Sequence, residues 1–159
     1  MVCLDSDVLI SFLRGDAAAV EAVRTSKGGE EEAGRKKEEG EGKREGEEEE
    51  EEEGSAVLRT TVVNEYELLK GAAASVRKKE NLSLVRGLLA SLEVLPLDDD
   101  SCEIAARLYG DIRAEGKNAT AAVNEFDLLV AAIALRNGEV LVTRDERFKA
   151  ISGLQLRRW

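Results

Sequence analysis

The feature that most constrains the fold is an alternation of short apolar segments with longer amphipathic ones. The short segments are rich in Val, Leu, Ile and Thr, as β-strands are, and helical periodicity follows most of them. The predicted strands are MVCLD at 1–5, AVLRTTVV at 56–63, EVLPL at 93–97, EVLVTRD at 139–145 and LQLRRW at 154–159. Strands that alternate with helices favour an α/β fold with a mainly parallel sheet and helices on both faces.

Capping residues predict where the helices begin. We expect Ser6 to cap the first helix, Asp16 to cap a helix over 17–25, and Asn64 to cap the helix NEYELLKGAAASVRKK. Further helices are predicted at 82–92, from Asp98–Ser101 through Ile112, and over FDLLVAAIALRNG at 126–138. The last of these is apolar nearly all round, which is typical of a helix buried in the middle of a domain.

An acidic segment of low complexity interrupts the pattern at about 26–54. It contains 14 Glu, 6 Lys or Arg and 7 Gly, and thus carries −8 of the chain's net charge of −10. It has no large apolar side chain to bury, so we expect a disordered insertion within a single domain that spans 1–159. The rest of the chain is close to neutral, which excludes a strongly basic nucleic-acid coat.

The residue inventory restricts the chemistry. The chain has no histidine, which excludes Ser-His-Asp, Cys-His and His-metal sites. Cys3 and Cys102 are too few for a disulfide framework and are expected to be small core residues, although a single disulfide between them is left open. With neither a leader nor a membrane span in view, we expect a cytoplasmic protein. Hydrolysis by such a chain would depend on carboxylates with a metal.

Four acidic residues stand near element ends. Asp5 ends the first predicted strand, Asp145 ends the fourth, and Glu67 and Asp127 are each expected in the first turn of a helix. Ligands of parallel α/β sheets bind outside the carboxyl ends of the strands, so these acids are predicted to meet at one rim. Like charges there would repel one another unless a divalent cation neutralised them.

Each acid also has a purely structural interpretation. Glu67 would complete a capping box with Asn64, Asp127 would favour the positive end of its helix, and Asp145 would form a tight turn with Arg144 or Arg147. The joint placement of the four at one rim, in a chain without histidine, favours a metal site over these alternatives.

Four motifs then resemble the PIN-domain family. LDSDVLI is similar to its LDTNVLI opening, and ELLKGA, FDLLVAAIAL and LVTRDERF resemble its second, third and fourth acidic motifs in order. Within the family the chain is most similar to VapC toxins of toxin–antitoxin systems. The resemblance implies a three-layer α/β/α fold with a five-stranded parallel sheet, a Mg²⁺- or Mn²⁺-dependent ribonuclease, a homodimer and a small antitoxin partner.

Carried over by position, the resemblance assigns a catalytic quartet of Asp5, Glu67, Asp127 and Asp145, with Asp5 and Asp127 as the main metal ligands. Asp7 stands where the family has Asn, which adds a charge. Supporting roles for metal, water or carboxylate orientation fall to Ser6, Asp7, Glu65, Glu125 and Thr143. Contacts with the RNA backbone are expected from Arg144, Arg147 and Lys149, and from Arg157 and Arg158.

Two other functions stay open on the sequence alone. Asp5-Ser6-Asp7 also resembles the DxD motif of haloacid-dehalogenase-type phosphatases, in which Asp5 would be a nucleophile. Thr60 or Thr61, Lys78 and the acidic run at 98–100 would supply its later motifs. That alternative leaves Asp127 and Asp145 unexplained. The other alternative is a catalytically inactive module that binds RNA or a protein partner.

Overall fold

The computed structural model describes residues 1–27, 57–115 and 123–159. Its five strands are β1 (Val2–Leu4), β2 (Arg59–Thr61), β3 (Glu93–Leu95), β4 (Val140–Val142) and β5 (Leu156–Arg157). Its helices are α1 (Ser6–Leu13), α2 (Ala17–Lys27), α3 (Val62–Ala73), α4 (Lys78–Leu89), α5 (Asp99–Glu115) and α6 (Glu125–Arg136), and a short 3-10 helix spans Glu146–Ala150. Five strands alternating with helices match the predicted fold class.

The strands form one parallel sheet in the order β3-β2-β1-β4-β5. β1 lies at its centre, and its register pairs Leu4 with Val142 of β4. All strands therefore end at the same rim of the sheet, and the residues that follow β1 and β4 are direct neighbours there. The prediction of a parallel sheet is confirmed.

Helices cover both faces of this sheet. Successive residues of a strand point to opposite faces, so each strand contributes apolar side chains to both helix layers. Cys3 and Leu141 pack on one face against α5 and α6, whereas Leu4 and Val142 pack on the other against α1 to α4. The apolar residues of α6 are buried on nearly all sides, as their pattern predicts. This is the three-layer α/β/α arrangement.

Three predicted helix starts are wrong by one to four residues. The helix expected over 82–92 is α4, which begins at Lys78 and takes in residues that were expected at the end of the preceding helix. Asp5, not Ser6, is the N-cap of α1, and its carboxylate accepts a hydrogen bond from the Ser6 N–H. Helix α3 begins at Val62, not at Asn64, because the Thr61 side chain caps it by accepting the Asn64 N–H. The β-branched residues favoured a strand through 63. Strand β2 instead ends at Thr61, and Val62 and Val63 belong to α3, where Val63 packs in the core.

The acidic insertion lies almost entirely outside the described residues. Only its predicted first residues, Ser26 and Lys27, are described, and they form the end of α2. Asp16 caps that helix as expected, accepting the backbone N–H groups of Ala18 and Ala19.

The two cysteines do not pair. Cys3 is buried, and burial raises the pKa of its thiol strongly. Cys102 is exposed on α5, so its expected place in the core is wrong. Among the helices of the described residues, none is long and apolar enough to cross a bilayer.

Candidate active site

Asp5 stands at the centre of the rim. Its backbone N–H donates to the carbonyl of Val142, which continues the β1–β4 ladder by one residue and brings Asp5 beside Thr143. The Thr143 hydroxyl then donates to Asp5 Oδ2 at 2.7 Å, and Ser6 N–H donates to Asp5 Oδ1 at 2.8 Å. Both carboxylate oxygens are therefore held in place by neighbours along the sheet edge.

The carboxyl of Asp5 is poorly suited to carry a charge without a cation. Only 5% of the residue is exposed, and burial is the largest cause that raises its pKa to about 7. The charges of Asp7 and Glu67 raise this pKa further, while the hydrogen bonds from Thr143 and Ser6 oppose the shift. An Asp in this state is a strong ligand for a positive charge placed next to it.

Glu67 reaches the same rim from α3. It lies in the second turn of this helix, not the first as predicted, because α3 begins earlier than expected. Its Oε2 accepts a hydrogen bond of 2.7 Å from the Ser6 hydroxyl, so Ser6 joins the first and second acidic motifs directly. The capping-box interpretation of Glu67 is excluded by this geometry, since Thr61 is the cap of α3.

Asp127 has a structural role as well as a place at the rim. It forms a capping box with Asn124: each side chain accepts the other residue's backbone N–H at 3.0 Å. Burial nevertheless raises the pKa of Asp127, against the effect of these contacts and of Arg147, and the charges of Asp145 and Glu67 raise it further. The environment thus disfavours the charge that the cap holds in position.

Asp145 caps the 3-10 helix that follows β4, accepting the Arg147 N–H at 2.9 Å. The Arg147 guanidinium pairs with the Asp145 carboxylate and also with Asp127, whose Oδ2 is 3.0 Å from Arg147 Nη1. These contacts lower the pKa of Asp145. The tight turn predicted for Asp145 and Arg147 is therefore present, but the same arginine also joins two of the four acids.

The four acids form one electrostatic group. The charge of Glu67 raises the pKa of both Asp5 and Asp127, and the charge of Asp145 also raises the pKa of Asp127. The charge of Asp5 raises the pKa of Arg147. Within the described ranges, however, no three acidic or cysteine side chains are arranged as a ready-made metal cage. Two of the acids are turned towards Arg147 instead, so the rim is neutralised in part by the chain's own cation.

Asp7 is anchored by Trp159, to which no sequence motif assigns a role. The Trp159 indole N–H donates to Asp7 Oδ1 at 3.1 Å, and the Arg144 backbone N–H donates to Asp7 Oδ2 at 2.8 Å. The Arg144 guanidinium lies 3.5 Å from the centre of the Trp159 ring and donates to the Trp159 carbonyl. The charge introduced at position 7 thus ties the last residue of the chain to the rim.

The other predicted residues lie around the site without joining it. Glu65 is half-buried and Glu125 is exposed. Lys149 and Arg158 both pair with Glu146, and Arg157 donates to the Ser26 hydroxyl. The cations expected to hold an RNA backbone therefore contact the chain's own groups here.

The acidic run required by the phosphatase alternative is not brought to Asp5. Asp98 and Asp100 pair with Arg136 at the C-terminal end of α6, whereas Asp127 lies at its N-terminal end. A helix of this length separates its ends by about 17 Å. The acidic run therefore lies away from Asp5, and the geometry does not support a phosphatase site.

A groove of about 600 Å³ leads away from Glu67. It runs between α1, α3 and α4, and its walls combine apolar side chains such as Ile10 and Leu68 with Arg14 and Arg77. The rim is thus open to one side along a mixed apolar and basic surface.

The chain is similar in sequence to known nucleases. Residues 38–154 match the PIN domain. The tRNA(fMet)-specific endonuclease VapC of Salmonella typhimurium is 36% identical over 94 residues, which cover 58% of this chain and 68% of that protein. Ribonuclease VapC5 of Mycobacterium tuberculosis is 32% identical over 97 residues, which cover 59% of this chain and 68% of that protein.

Solved structures have the same fold. The crystal structure of VapBC2 from Rickettsia felis, bound to a DNA fragment from their promoter, gives a TM-score of 0.74 at 16% identity and covers 100% of this chain and 99% of the matched one. VapBC-5 of Mycobacterium tuberculosis is 28% identical, with a TM-score of 0.52 over 64% of this chain and 79% of the matched one.

Proposed function

The chain belongs to the PIN domain family, and we propose that it is a metal-dependent endoribonuclease, the toxin of a VapBC-type toxin–antitoxin pair. The contacts of the four acids at one rim support this proposal: Ser6 contacts both Asp5 and Glu67, and Arg147 pairs with both Asp127 and Asp145. The names of the relatives support the same activity, since they are endonucleases or ribonucleases.

The donor set fits a hard divalent cation. All four groups offer carboxylate oxygens, which Mg²⁺ and Mn²⁺ prefer. The raised pKa values of Asp5 and Asp127 are what a site built to receive a positive charge would have before it is filled. Asp5 and Asp127 would be the main ligands, with Glu67 and Asp145 contributing.

The chain's own residues would orient this site. Thr143 and Ser6 hold the carboxylates of Asp5 and Glu67, and the capping box holds Asp127. When bound, a divalent cation supplies charge neutralisation at the phosphodiester and acidifies the water that attacks it. Arg147 would exchange an acid for an RNA phosphate as the site fills, since its guanidinium already lies between Asp127 and Asp145.

An RNA-cleavage assay with a matched pair of variants tests this function. Wild-type protein should cut RNA with Mg²⁺ or Mn²⁺ and stop when EDTA is added, and Asp127→Asn should be inactive. Asp100→Asn removes an equivalent Asp–Arg pair at the other end of α6 and should keep full activity. Wild-type protein that leaves tRNA and messenger RNA intact with either metal would favour an inactive binding module.

The proposed partners are a small antitoxin and a second copy of the chain. The antitoxin would lie in the groove that begins at Glu67, since that groove combines apolar and basic walls beside the acids. A small reading frame that adjoins this gene, when co-expressed with it, should give a stable complex in which RNA cleavage is suppressed. Sedimentation at micromolar concentration tests the homodimer, and a clean monomer would contradict it.

A further inference from the structure

Two exposed aromatic residues each directly precede one of the four acids in the sequence. Tyr66 precedes Glu67 on α3, Phe126 precedes Asp127 on α6, and the two helices bring the rings together with their centroids 5.8 Å apart. The chain has only six aromatic residues, yet Tyr66 is 50% exposed and Phe126 is 41% exposed. Core packing does not account for a solvent-facing aromatic pair at this position.

A cation completes the cluster. Lys70 lies one helical turn after Tyr66, and its ammonium is 5.1 Å from the Tyr66 ring centre and 5.5 Å from that of Phe126. Aromatic faces combined with a nearby cation are the features by which proteins hold single-stranded nucleic acid: bases stack on the rings and the cation meets the backbone.

We propose that Tyr66, Phe126 and Lys70 form a stacking subsite for an unpaired nucleobase of the RNA strand, next to the carboxylates that would cut it. This inference rests on the proposed ribonuclease function, and it adds how the substrate is held. The net charge of −10 makes overall electrostatic attraction to RNA unfavourable, so base stacking is the better source of affinity here.

The alternative occupant of the same cluster is a second copy of the chain. Lysine is depleted in the cores of protein interfaces, whereas here Lys70 lies against both rings. The cluster's chemistry therefore favours RNA, and the oligomeric state of the variants serves as a test.

The experiment measures binding in EDTA, so that cleavage plays no part in it. The two probes are fluorescently labelled hexauridylate and the same oligonucleotide with abasic residues at its two central positions. Tyr66→Leu and Phe126→Leu should each weaken hexauridylate binding by about five- to thirtyfold and change binding of the abasic probe by less than about twofold. Tyr66→Trp should bind at least as tightly as the wild type.

Two further variants separate the contributions. Lys70→Gln should weaken both probes to the same extent and reduce the salt dependence of binding. Tyr109→Leu is the matched control: the only other tyrosine, exposed on α5, also pairs with a cation, Arg113, but is not a sequence neighbour of any of the four acids. It should bind like the wild type.

The subsite is overturned if Tyr66→Leu and Phe126→Leu bind hexauridylate like the wild type, if they weaken both probes equally, or if Tyr109→Leu loses as much. It is also overturned if these variants sediment as a smaller species than the wild type, which would identify the cluster as an interface between copies. Absence of RNA cleavage by wild-type protein with Mg²⁺ or Mn²⁺ would instead contradict the proposed function, whatever the binding data show.

Discussion

Arg147 Nη1 lies 3.0 Å from Asp127 Oδ2. The same guanidinium pairs with Asp145, so one arginine of the chain neutralises two acids at the rim. A divalent cation bound at this rim would compete with Arg147 for the same oxygens. The arginine therefore sets part of the cost of metal binding and part of the stability of the metal-free protein.

Arg147→Gln should strengthen metal binding while weakening the metal-free fold. Without the guanidinium, the pKa values of Asp127 and Asp145 rise and their repulsion is relieved only by an added cation. Thermal unfolding titrated with Mn²⁺ should show half of the maximal stabilisation at a concentration lower by about threefold or more.

Arg158→Gln is the control for that titration. Arg158 pairs with Glu146, which is not one of the four acids, at 3.2 Å. Its removal should leave the midpoint of the Mn²⁺ titration unchanged. An unchanged midpoint in Arg147→Gln as well would show that the arginine does not compete with metal.

Asp127→Asn should separate cleavage from stability. The amide oxygen still accepts the Asn124 N–H, and a neutral side chain avoids the burial cost that raises the pKa of Asp127. We expect RNA cleavage to fall by at least about 100-fold. Metal-free stability, measured by urea unfolding, should stay within about 1 kcal/mol of the wild type. A large loss of stability with cleavage retained would identify Asp127 as a capping residue only.

The order of strands and helices could be predicted from the sequence because the signal is carried by many residues at once. Hydrophobic periodicity of 2 or 3.6 identifies elements even when their ends are uncertain. The ends depended on single contacts. Thr61 and Asn64 are both good caps, and only the packing of Val63 into the core decides that α3 begins at Val62.

The sequence predicted which acids form the candidate site, but it did not predict the hydrogen bonds that connect them. The bond from Ser6 to Glu67 joins residues that are 61 positions apart, and the bond from Trp159 to Asp7 joins residues that are 152 apart. No local pattern encodes such pairs, since they follow from the register of β1 against β4 and from the path of the last residues. The pairing of Arg147 with Asp127 also follows from the tertiary arrangement. The sequence does not reveal this pairing, and Arg147 was therefore predicted to contact RNA instead.

A structural ion-pair cluster lies at the other end of the sheet, where the strands begin. Arg59 lies between Glu139, whose side chain is fully buried, and Glu93, whose side chain is 46% exposed. Arg59→Met should destabilise the protein by about 3–5 kcal/mol, because it leaves the buried Glu139 charge without its partner. Glu93→Gln should cost less than about 1 kcal/mol.

The double variant Arg59→Met, Glu139→Leu should recover most of that loss, because it removes the uncompensated charge along with its partner. Chemical denaturation measures all three stabilities. RNA cleavage by the folded variants should stay at the wild-type level. Arg59 starts β2, Glu93 starts β3 and Glu139 precedes β4, so all three lie at the end of the sheet away from the four acids. Equal losses in Arg59→Met and Glu93→Gln would contradict the role assigned to burial.

The pKa of Asp5 makes the metal-free protein less stable as the pH rises. The folded carboxyl keeps its proton up to about pH 7, whereas the ordinary pKa of an Asp is 3.8. Between these values the native state binds more protons than the unfolded state, so the free energy of unfolding falls with increasing pH and levels off above pH 7.

Asp5→Asn removes this dependence. In EDTA the variant should be more stable than the wild type at pH 8.5, by up to about 4 kcal/mol. The difference should be about half as large at pH 5.5 and should nearly vanish only at about pH 3.5, where the unfolded chain is protonated as well. Asp98→Asn provides a control of opposite sign: hydrogen bonds from Ser101 lower the pKa of Asp98, so this variant should lose stability at pH 8.5. If Asp5→Asn were less stable than the wild type at both pH values, the buried Asp5 would be a capping residue whose charge the fold tolerates, and the case for a cation site at this rim would fail with it.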